Sequence, residues 1–328
     1  MESNAYKKSH IGHVVLNSVK DTPVILIFAV FFVISLFFVS GFAKPENLIN
    51  IIQQSSDLII LSCGMTYVLL NGSIDFSITG VLPFASITGA YIMRSEGNPY
   101  VLIFLAIIVM LSIGVGIGLL NGVAVSRFRM PSFITTMAVQ LCFSGLALLV
   151  TQSATIGGIP NQFTRIAQGY IGYVPVAAII AILIVIIFQH LLSNTLLGRR
   201  IIAVGTNQHT SLISGINVKK TITTVFVICG FLAAMSSILT TSRMGAGMPG
   251  MGQESFMNVI VAVVIGGTSI FGGRGTCVGT AFGAVFVIML NNCMNLIGIN
   301  WFVINIFKGC LVLFAAYIYA LRDSRQLR

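Results

Sequence analysis

Long stretches without a charged side chain restrict the fold of this chain more than any other feature. A helix needs about 20 apolar residues to cross the hydrocarbon core of a membrane, and most of these stretches approach or exceed that length. Only 8% of the 328 residues are charged and 56% are hydrophobic, whereas soluble proteins carry about 25% charged residues. The sequence therefore predicts an all-α, polytopic membrane protein. The uncharged stretches are 23–43, 58–74, 76–93, 97–126, 130–164, 166–198, 221–242, 255–273 and 275–307.

Together these stretches predict about ten transmembrane helices. A polar break falls around 151–170, and the last crossing runs from the residues before Lys308 to Leu321. With the amino terminus inside the cell, most basic side chains fall on the inner side, as the positive-inside rule expects. The basic residues on the inner side are Lys7, Lys8, Lys20, Arg127, Arg129, Arg199, Arg200, Lys219, Lys220, Arg274, Arg322, Arg325 and Arg328, and those on the outer side are Lys44, Arg94, Arg165 and Arg243.

This topology gives the domain organisation. We expect a cytoplasmic tail over 1–22, a transmembrane domain over 23–321 and a second cytoplasmic tail over 322–328. The transmembrane domain includes a cytoplasmic loop over 194–220. Both chain termini are therefore predicted to lie on the cytoplasmic side of a multi-pass protein.

Composition and motifs exclude several classes of function. The net charge of +10 follows from the topology and not from a basic face, so nucleic-acid binding is not expected. The six cysteines stand singly in apolar runs without a CxxC pair, which argues against a metal site or a disulfide framework. The chain has no P-loop motif, so it is not expected to bind a nucleotide, to carry a cofactor or to act as an enzyme.

Two glycine-rich breaks interrupt the apolar runs, one from Gly72 to Gly80 around Asp75 and one from Gly266 to Gly275. Clustered glycines in a membrane segment indicate a tight turn or re-entrant stretch whose backbone groups need partners. For Asp75 we favour acceptance of hydrogen bonds from freed backbone amides over contact with a solute. Because each break follows an apolar span and both face the same side, we expect a weak parallel internal repeat. The predicted hinge residues are Gly72, Asp75, Gly266, Gly267, Gly272, Gly273, Arg274 and Gly275.

Glycines within the spans have a different predicted role. Gly114 and Gly118, and likewise Gly279 and Gly283, are spaced four residues apart. Small residues at this spacing lie on one helix face and let neighbouring helices approach closely. We therefore favour a packing role for them over contact with a ligand.

The predicted cytoplasmic loop contains a candidate docking element. Asn207 is a residue type that caps the start of a helix, and Gly215 is one that ends a helix, so a short helix is expected between them. A pair of basic residues stands on each side of it. Such a helix suits a groove on a cytoplasmic partner, and an ordinary surface turn is the alternative.

Five motifs, in this order and spacing, are similar to those of one transporter family. They are Gly72-Ser73-Ile74-Asp75-Phe76-Ser77, Leu120-Asn121-Gly122 followed by Pro131-Ser132-Phe133-Ile134, Ser214-Gly215-Ile216-Asn217-Val218, the stretch from Val263 through Gly275, and Leu290-Asn291-Asn292 with Asn295. Over nearly its full length, the chain resembles the permease subunits of bacterial ribose-type monosaccharide importers of the ATP-binding-cassette (ABC) class.

The resemblance implies a function and partners. The chain would be the membrane-spanning subunit of an importer in the bacterial inner membrane, as a homodimer or beside a paralogous permease. A cytoplasmic ATPase subunit would bind ATP and Mg²⁺, and an extracytoplasmic binding protein would deliver a monosaccharide or sugar-like solute. The helix after Asn207 would be the coupling helix that docks on the ATPase. The implied coupling residues are Gly205, Asn207, Gln208, Ser211, Ser214, Gly215 and Ile216.

Polar side chains within the spans are candidates for the solute path. Asp57 stands in an otherwise apolar helix, where a charge is costly in lipid, so it lines a path or lies at the membrane interface. A carbohydrate path is expected to offer amides, hydroxyls and aromatic rings. The further candidates are Asn71, Gln140, Gln152, Asn258, Asn291, Asn292, Asn295 and Trp301.

Two alternatives stay open. One is a related permease for nucleosides or branched-chain amino acids. The other is a self-sufficient secondary carrier or channel, which would transport its solute without ATP. A proton-coupled carrier normally has a chain of titratable groups at the membrane centre, and Asp57 has no evident second member in the sequence.

Overall fold

The computed structural model of the protein describes residues 23–310, 313 and 317. The predicted tails over 1–22 and 322–328 lie outside the described residues. The elements follow one another along the chain as α1 (Pro23–Phe38), α2 (Pro45–Leu70), α3 (Ile78–Met93), α4 (Pro99–Arg127), α5 (Ser132–Thr151), α6 (Asn161–Gln168), β1 (Tyr170–Ile171), β2 (Val174–Pro175), α7 (Val176–Asn194), α8 (Leu196–Thr206), α9 (Gln208–Ile213), α10 (Val218–Met244), α11 (Ser255–Ile265), α12 (Cys277–Leu296) and α13 (Trp301–Cys310).

The helices confirm the prediction of an all-α membrane protein. Within the described residues, the five helices α4, α5, α7, α10 and α12 are long and apolar enough to cross a membrane. Shorter apolar helices of 10–17 residues occur in α1, α3, α11 and α13, and α2 is 26 residues long. The number of ten crossings stays a prediction.

Helix α2 lies at the centre of the bundle. From Leu58 to Leu70 every residue except Ile59 is buried, so this half of the helix is surrounded on all sides. Helices α10, α12, α7 and α11 pack against it. Its burial explains why this half is mostly apolar on every side. Ser62 and Thr66 are exceptions, and the Thr66 hydroxyl makes a hydrogen bond of 2.7 Å with the Thr280 hydroxyl of α12.

Helices α4 and α10 pack closely through glycine. Gly114 faces Gly230, Gly118 faces the Phe226 carbonyl group, and a Cβ on either α4 glycine would overlap that backbone. Helices α11 and α12 meet in the same way, because a Cβ on Gly283 would overlap the carbonyl oxygen of Ala262. These contacts confirm the predicted packing role of the spaced glycines.

The polar break predicted around 151–170 is present between α5 and α7. It contains the short helix α6 and an antiparallel hairpin in which Ile171 pairs with Val174. The Ser242 hydroxyl of α10 accepts a hydrogen bond from Ala167 N (2.9 Å) and donates one to Phe163 O (2.7 Å), which holds α6 on the bundle. The hairpin stands at the start of α7, and α8 follows the end of α7, so α7 separates the hairpin from α8 and α9.

Candidate coupling site and solute path

Helix α9 is the short helix that capping residues predict. The Asn207 side-chain oxygen accepts a hydrogen bond from Thr210 N at 2.9 Å, which satisfies one free amide of the first turn. Gly215 follows the helix with φ +80°, and its N–H donates to Leu212 O at 3.0 Å. The helix is six residues long, and Leu212 and Ile213 expose 62% and 74% of their surface. The structure therefore confirms a short helix that starts after Asn207 and ends before Gly215.

The remaining predicted coupling residues surround α9. Ser211 is buried on its inner side, and Ile216 N donates to Ser211 O at 3.0 Å. The Ser214 hydroxyl donates to Thr210 O at 2.9 Å, while Gln208 lines a cleft beside the helix. These residues shape α9 and its base, and their contact with an ATPase stays a prediction.

Helix α8 supports α9 and was missed by the sequence reasoning, which treated the region as a mostly polar loop. Thr195 caps α8 by accepting a hydrogen bond from Gly198 N at 3.3 Å. Ile201 and Val204 are buried against the bundle, at 0% and 1% exposure. Their spacing of three residues, after a threonine cap, is the sequence signal that indicates this helix.

The second glycine break is a turn between α11 and α12. Gly267, Gly272 and Gly273 have φ values of +91°, +94° and +75°, which other residue types rarely adopt. Ser269 N donates to Arg274 O at 2.8 Å and closes the turn. A Cβ on Gly266 would lie 2.6 Å from Thr280 Cα, so this glycine lets α12 approach. The predicted break is confirmed, and Gly275 links it to α12.

The first glycine break is held by Asp75. Its Oδ1 accepts hydrogen bonds from Ser77 N (2.9 Å) and from the Ser77 hydroxyl (2.6 Å). Asn121 of α4 donates to the same hydroxyl at 2.7 Å, and Phe76 N donates to the Thr136 hydroxyl of α5 at 3.0 Å. Asp75 is fully buried. The side chain accepts a freed backbone amide, as the sequence interpretation predicts.

The two breaks and the end of α8 meet at one place, which we call the glycine junction: Leu70, Gly72, Gly205, Thr206, Gly272 and Gly273. Gly273 N donates to Leu70 O at 2.9 Å. A Cβ on Gly205 would overlap the Leu70 carbonyl oxygen, and a Cβ on Gly272 would lie 2.7 Å from the Gly205 carbonyl oxygen. The base of the predicted coupling helix therefore touches both predicted hinges through backbone atoms.

A cleft of about 920 Å³ opens beside α9. It lies between α9, the turn from α4 to α5 and the start of α10. Arg129 and Lys219 line it and are exposed, and Arg129 has φ +55°. None of the described residues that line the cleft is acidic. The cleft is thus positively charged and suits an acidic group from a partner.

The candidates for the solute path lie on several helices. Asp57 pairs with Arg243 of α10, whose Nε and terminal nitrogen donate to Asp57 Oδ2 at 2.9 and 2.7 Å. Arg243 is thus a partner that sequence reasoning did not assign. Asn47 and Asn292 exchange amide hydrogen bonds of 3.0 and 2.7 Å, which join α2 to α12.

The other candidates differ in their surroundings. Buried polar atoms without a hydrogen-bond partner among residues 23–310 occur in Asn71, Asn258 and Asn291. The backbone of Gln140 packs on Gly80, and Asn295 is exposed. Gln152 ends α5 in a left-handed conformation (φ +49°), and Trp301 Nε1 donates to Glu254 Oε2 at 3.2 Å. No side-chain hydrogen bond within the described part of the chain joins two of the candidates, and their role in a path stays a prediction.

An aromatic cluster that includes Phe256 of α11 was also missed. The rings of Phe76 and Phe256 stack with centroids 3.9 Å apart, and Phe133 meets Phe76 edge-on at 5.0 Å. Phe133 exposes 48% of its surface, and Asn258 follows Phe256 by two positions. The three rings come from the turn before α3, from α5 and from α11. These segments are far apart in sequence, so no local pattern predicts the cluster.

Comparisons with known proteins agree with the fold. The chain is 34% identical to the ribose import permease protein RbsC of Bacillus subtilis (strain 168) over 280 residues, 85% of this chain and 86% of that protein. It is 36% identical to the fructose import permease protein FruF of Bifidobacterium longum (strain NCC 2705) over 267 residues, 79% and 73% of the two chains. It is 29% identical to the D-allose transport system permease protein AlsC of Escherichia coli (strain K12) over 276 residues, 84% and 83% of the two chains.

No solved structure matches the chain significantly. A family model described as "Branched-chain amino acid transport system / permease component" matches residues 47–316. The model and the relatives cover most of the chain and confirm the predicted resemblance to transport permeases. The protein therefore belongs to the family of membrane permeases that this model describes.

Proposed function

We propose that the chain is the membrane-spanning subunit of an ABC importer for a monosaccharide or a sugar-like solute. The observation that carries this proposal is the exposed helix α9, which follows directly after α8, and the end of α8 touches both glycine breaks at the glycine junction. The names of the ribose, fructose and D-allose permeases favour a sugar over the branched-chain amino acids of the family description.

Helix α9 is the proposed contact for a cytoplasmic ATPase subunit. Leu212 and Ile213 present apolar surface outward, and the cleft beside them carries Arg129 and Lys219. An ATPase groove with an apolar floor and acidic side chains at its edge would complement both features. ATP and Mg²⁺ would bind to that subunit, because this chain has no P-loop motif.

The proposed assembly contains two permease copies, or one copy and a paralogous permease, with two ATPase subunits. It lies in the bacterial inner membrane with both termini and α9 on the cytoplasmic side, as the distribution of basic residues favours. A solute-binding protein on the opposite side delivers the solute. Closure of the ATPase pair moves α9 and tilts the helices, so that the path opens to alternate sides.

The aromatic cluster of Phe76, Phe133 and Phe256 is the proposed sugar contact within the path. Aromatic faces pack against the C–H faces of sugars, and the Asn258 amide oxygen has no hydrogen-bond partner among the described residues. The exposed Phe133 ring offers an apolar group and the Asn258 amide oxygen a polar one, and a sugar site uses groups of both kinds. Selectivity would reside mainly in the binding protein, so this contact is weak.

Reconstitution in liposomes tests the proposed function. The chain is purified from its native membrane with the subunits that accompany it, and uptake of labelled ribose, fructose, allose, leucine and adenosine is measured with and without ATP. We expect an ATPase subunit to co-purify and sugar uptake to require both ATP and the binding protein. Uptake of leucine or adenosine without uptake of a sugar would show that the solute is an amino acid or a nucleoside. Uptake by the chain alone without ATP would instead identify a secondary carrier or channel.

A further inference from the structure

We propose that Gly205 is a positioning residue that fixes α9 to both glycine breaks, so that the glycine junction moves as one rigid unit. The inference rests on the proposed function, in which an ATPase moves α9. It adds which parts of the permease the movement of α9 is transmitted to. Force on α9 reaches the turn between α2 and α3 and the turn between α11 and α12 at the same time, through one contact.

The contacts of Gly205 with Leu70 and with Gly272 are made by backbone atoms. The Gly205 backbone lies against Leu70 O at the end of α2, with no room for a Cβ between them. Its own carbonyl oxygen faces Gly272, where a Cβ would come within 2.7 Å. The hydrogen bond from Gly273 N to Leu70 O (2.9 Å) joins the two breaks directly. Three segments more than 60 residues apart in sequence thus share one contact.

A contact between backbones transmits displacement better than one between long side chains. A side chain can change rotamer and absorb a shift of its neighbour, whereas two packed peptide groups cannot. Helix α8 is held on the bundle by Ile201 and Val204, so α9 cannot swing away from the junction on a loose loop. A displacement of α9 therefore displaces both breaks.

Each break lies next to groups that the proposed path uses. Asn71 and Asp75 follow Leu70 in the first break, and Phe76 of the aromatic cluster comes directly after Asp75. The second break connects α11, which carries Phe256 and Asn258, to α12. Moving both breaks together changes the position of Phe76 and Phe256 relative to Phe133 of α5, which is not part of the junction. The glycine junction is thus placed to open or close the aromatic cluster.

The substitution Gly205→Ala tests the role of the contact. Gly205 is in a helix, so alanine suits its backbone and the main effect is steric overlap with Leu70 O. The matched control is Gly116→Ala in α4, a helical glycine whose added Cβ meets no heavy atom of the described residues within 4 Å. Both variants are reconstituted with the ATPase and the binding protein, and solute molecules transported per ATP hydrolysed are counted.

We expect Gly116→Ala to match the wild type and Gly205→Ala to transport at least about tenfold less solute per ATP, within the range of measured coupling between sites. Co-purification of the ATPase and the melting temperature show that the variant is folded and assembled. A merely structural role would lower the yield of complex and leave the solute-to-ATP ratio unchanged. An unchanged ratio in assembled Gly205→Ala protein would therefore overturn the inference.

A disulfide provides a second test that does not depend on Gly205→Ala folding. A Cβ on Gly273 would lie 3.6 Å from Thr206 Cβ, within the spacing of about 3.5–4.5 Å that a disulfide needs. The double variant T206C/G273C is assayed before and after oxidation. Because Gly273 has φ +75°, the reduced double variant and each single variant show what the substitutions cost without the cross-link. If the junction moves as one unit, the cross-link leaves transport per ATP unchanged. Inhibition that a reductant reverses would mean that the segments separate during transport, which contradicts the inference.

The outcomes for the two proposals are distinguishable. A wild-type complex without ATP-dependent uptake removes the proposed function and this inference with it. A wild type that couples uptake to ATP, together with a Gly205→Ala variant that couples equally well, removes only the inference.

Discussion

At the scale of single residues, the pair of Asp57 and Arg243 shows how this protein tolerates charge inside an apolar bundle. The Arg243 side chain donates two hydrogen bonds to Asp57 Oδ2, and the two side chains expose 23% and 10% of their surfaces. Each charge is costly alone in this environment, and the pair reduces that cost. The pair also joins the middle of α2 to the end of α10. The pair therefore holds these two helices together, whether or not the solute contacts it.

We expect Arg243→Gln to lower the free energy of unfolding by about 2–3 kcal/mol, because it leaves the Asp57 carboxylate without its charged partner. The double variant Asp57→Asn with Arg243→Gln should recover most of that loss, since no charge then stays unpaired. The stability of both variants is measured by thermal unfolding in a mild detergent. Unfolding is monitored by labelling of the cysteine thiols that it exposes. Equal destabilisation by the single and the double variant would show that the loss does not come from an unpaired carboxylate.

The aromatic cluster gives a second prediction at this scale. Phe256 stacks on Phe76 at 3.9 Å, and an exposed edge of the cluster belongs to Phe133. If the cluster contacts sugar, Phe256→Ala lowers sugar uptake about two- to tenfold, provided that the ring contributes to the sugar contact the roughly 0.5–1.5 kcal/mol that an aromatic pair contributes. Phe256→Tyr keeps the ring and should retain uptake. Initial rates in liposomes are compared at matched protein content, and equal rates for alanine and tyrosine would argue against a sugar contact.

At the scale of helices, α9 is too short to be stable by itself and depends on its ends. An isolated helix of six residues does not form in water, so its cap and its contact with α8 decide its structure. Gly215 lets the chain turn back at φ +80°, and Ser211 is buried against the body of the protein. The outward face is then free for a partner. A docking helix of this kind loses its shape when one terminal hydrogen bond is removed.

We expect Asn207→Ala to weaken binding of the ATPase, because removal of a helix cap costs about 1 kcal/mol, or roughly a fivefold change in affinity. Asn207→Asp keeps the acceptor oxygen and should bind like the wild type. Asn98→Ala is a matched control, since Asn98 caps the 29-residue helix α4 by accepting from Tyr100 N at 3.0 Å and does not line the cleft beside α9. Titration of labelled ATPase onto the permease in nanodiscs gives the dissociation constants of the wild type and of the three variants. A similar loss for both alanine variants would point to a general effect on folding.

Glycine contacts between α4 and α10 give a prediction for a helix pair. We expect Gly118→Ala to destabilise the protein by about 1–3 kcal/mol, because the added methyl group overlaps the Phe226 carbonyl oxygen. Gly116→Ala, two positions away, should be neutral or stabilise by up to about 1 kcal/mol through helix propensity. Melting temperatures of the two variants in the same detergent test the difference. Equal melting temperatures would mean that α4 and α10 can move apart without cost.

At the scale of the whole molecule, local chemistry explains which elements the sequence predicts. Asn207 and Gly215 bracket α9 by capping rules that act within a few residues, and the glycine clusters mark both breaks in the same way. Helix α8 is missed because Arg199 and Arg200 resemble the charged end of a span, although Ile201 begins its buried stripe. The local signals therefore locate the elements of the candidate site.

Long-range contacts explain what the sequence does not predict. The contact between Leu70 and Gly205 joins residues far apart in the chain, and nothing near either residue specifies the other. The pairing of Asp57 with Arg243 and the stacking of Phe76 on Phe256 have the same origin. Each depends on how the helices pack around α2, which periodicity and composition leave undetermined. The breaks were predictable one by one, and their junction was not.

The orientation in the membrane is the last prediction and concerns the entire chain. Helix α7 is 19 residues long, about 28 Å at 1.5 Å per residue, and separates the hairpin from α8 and α9. Tyr173 in the hairpin exposes 97% of its surface, and His209 in α9 is also exposed. The positive-inside rule predicts that α9 lies in the cytoplasm and the hairpin outside. We therefore expect a membrane-impermeant maleimide added to intact cells to label Tyr173→Cys and not His209→Cys.

Disrupted membranes provide the control, because both positions should then react. The background variant carries Cys142→Ser and Cys310→Ser, since these two cysteines are exposed, whereas Cys63, Cys229, Cys277 and Cys293 are buried. Labelling of His209→Cys in intact cells, with Tyr173→Cys protected, would reverse the topology. An ATPase could not then reach α9, and the proposed coupling would fail. Labelling of both positions from outside would instead show that α7 does not cross the membrane, because the two sites would lie on the same side.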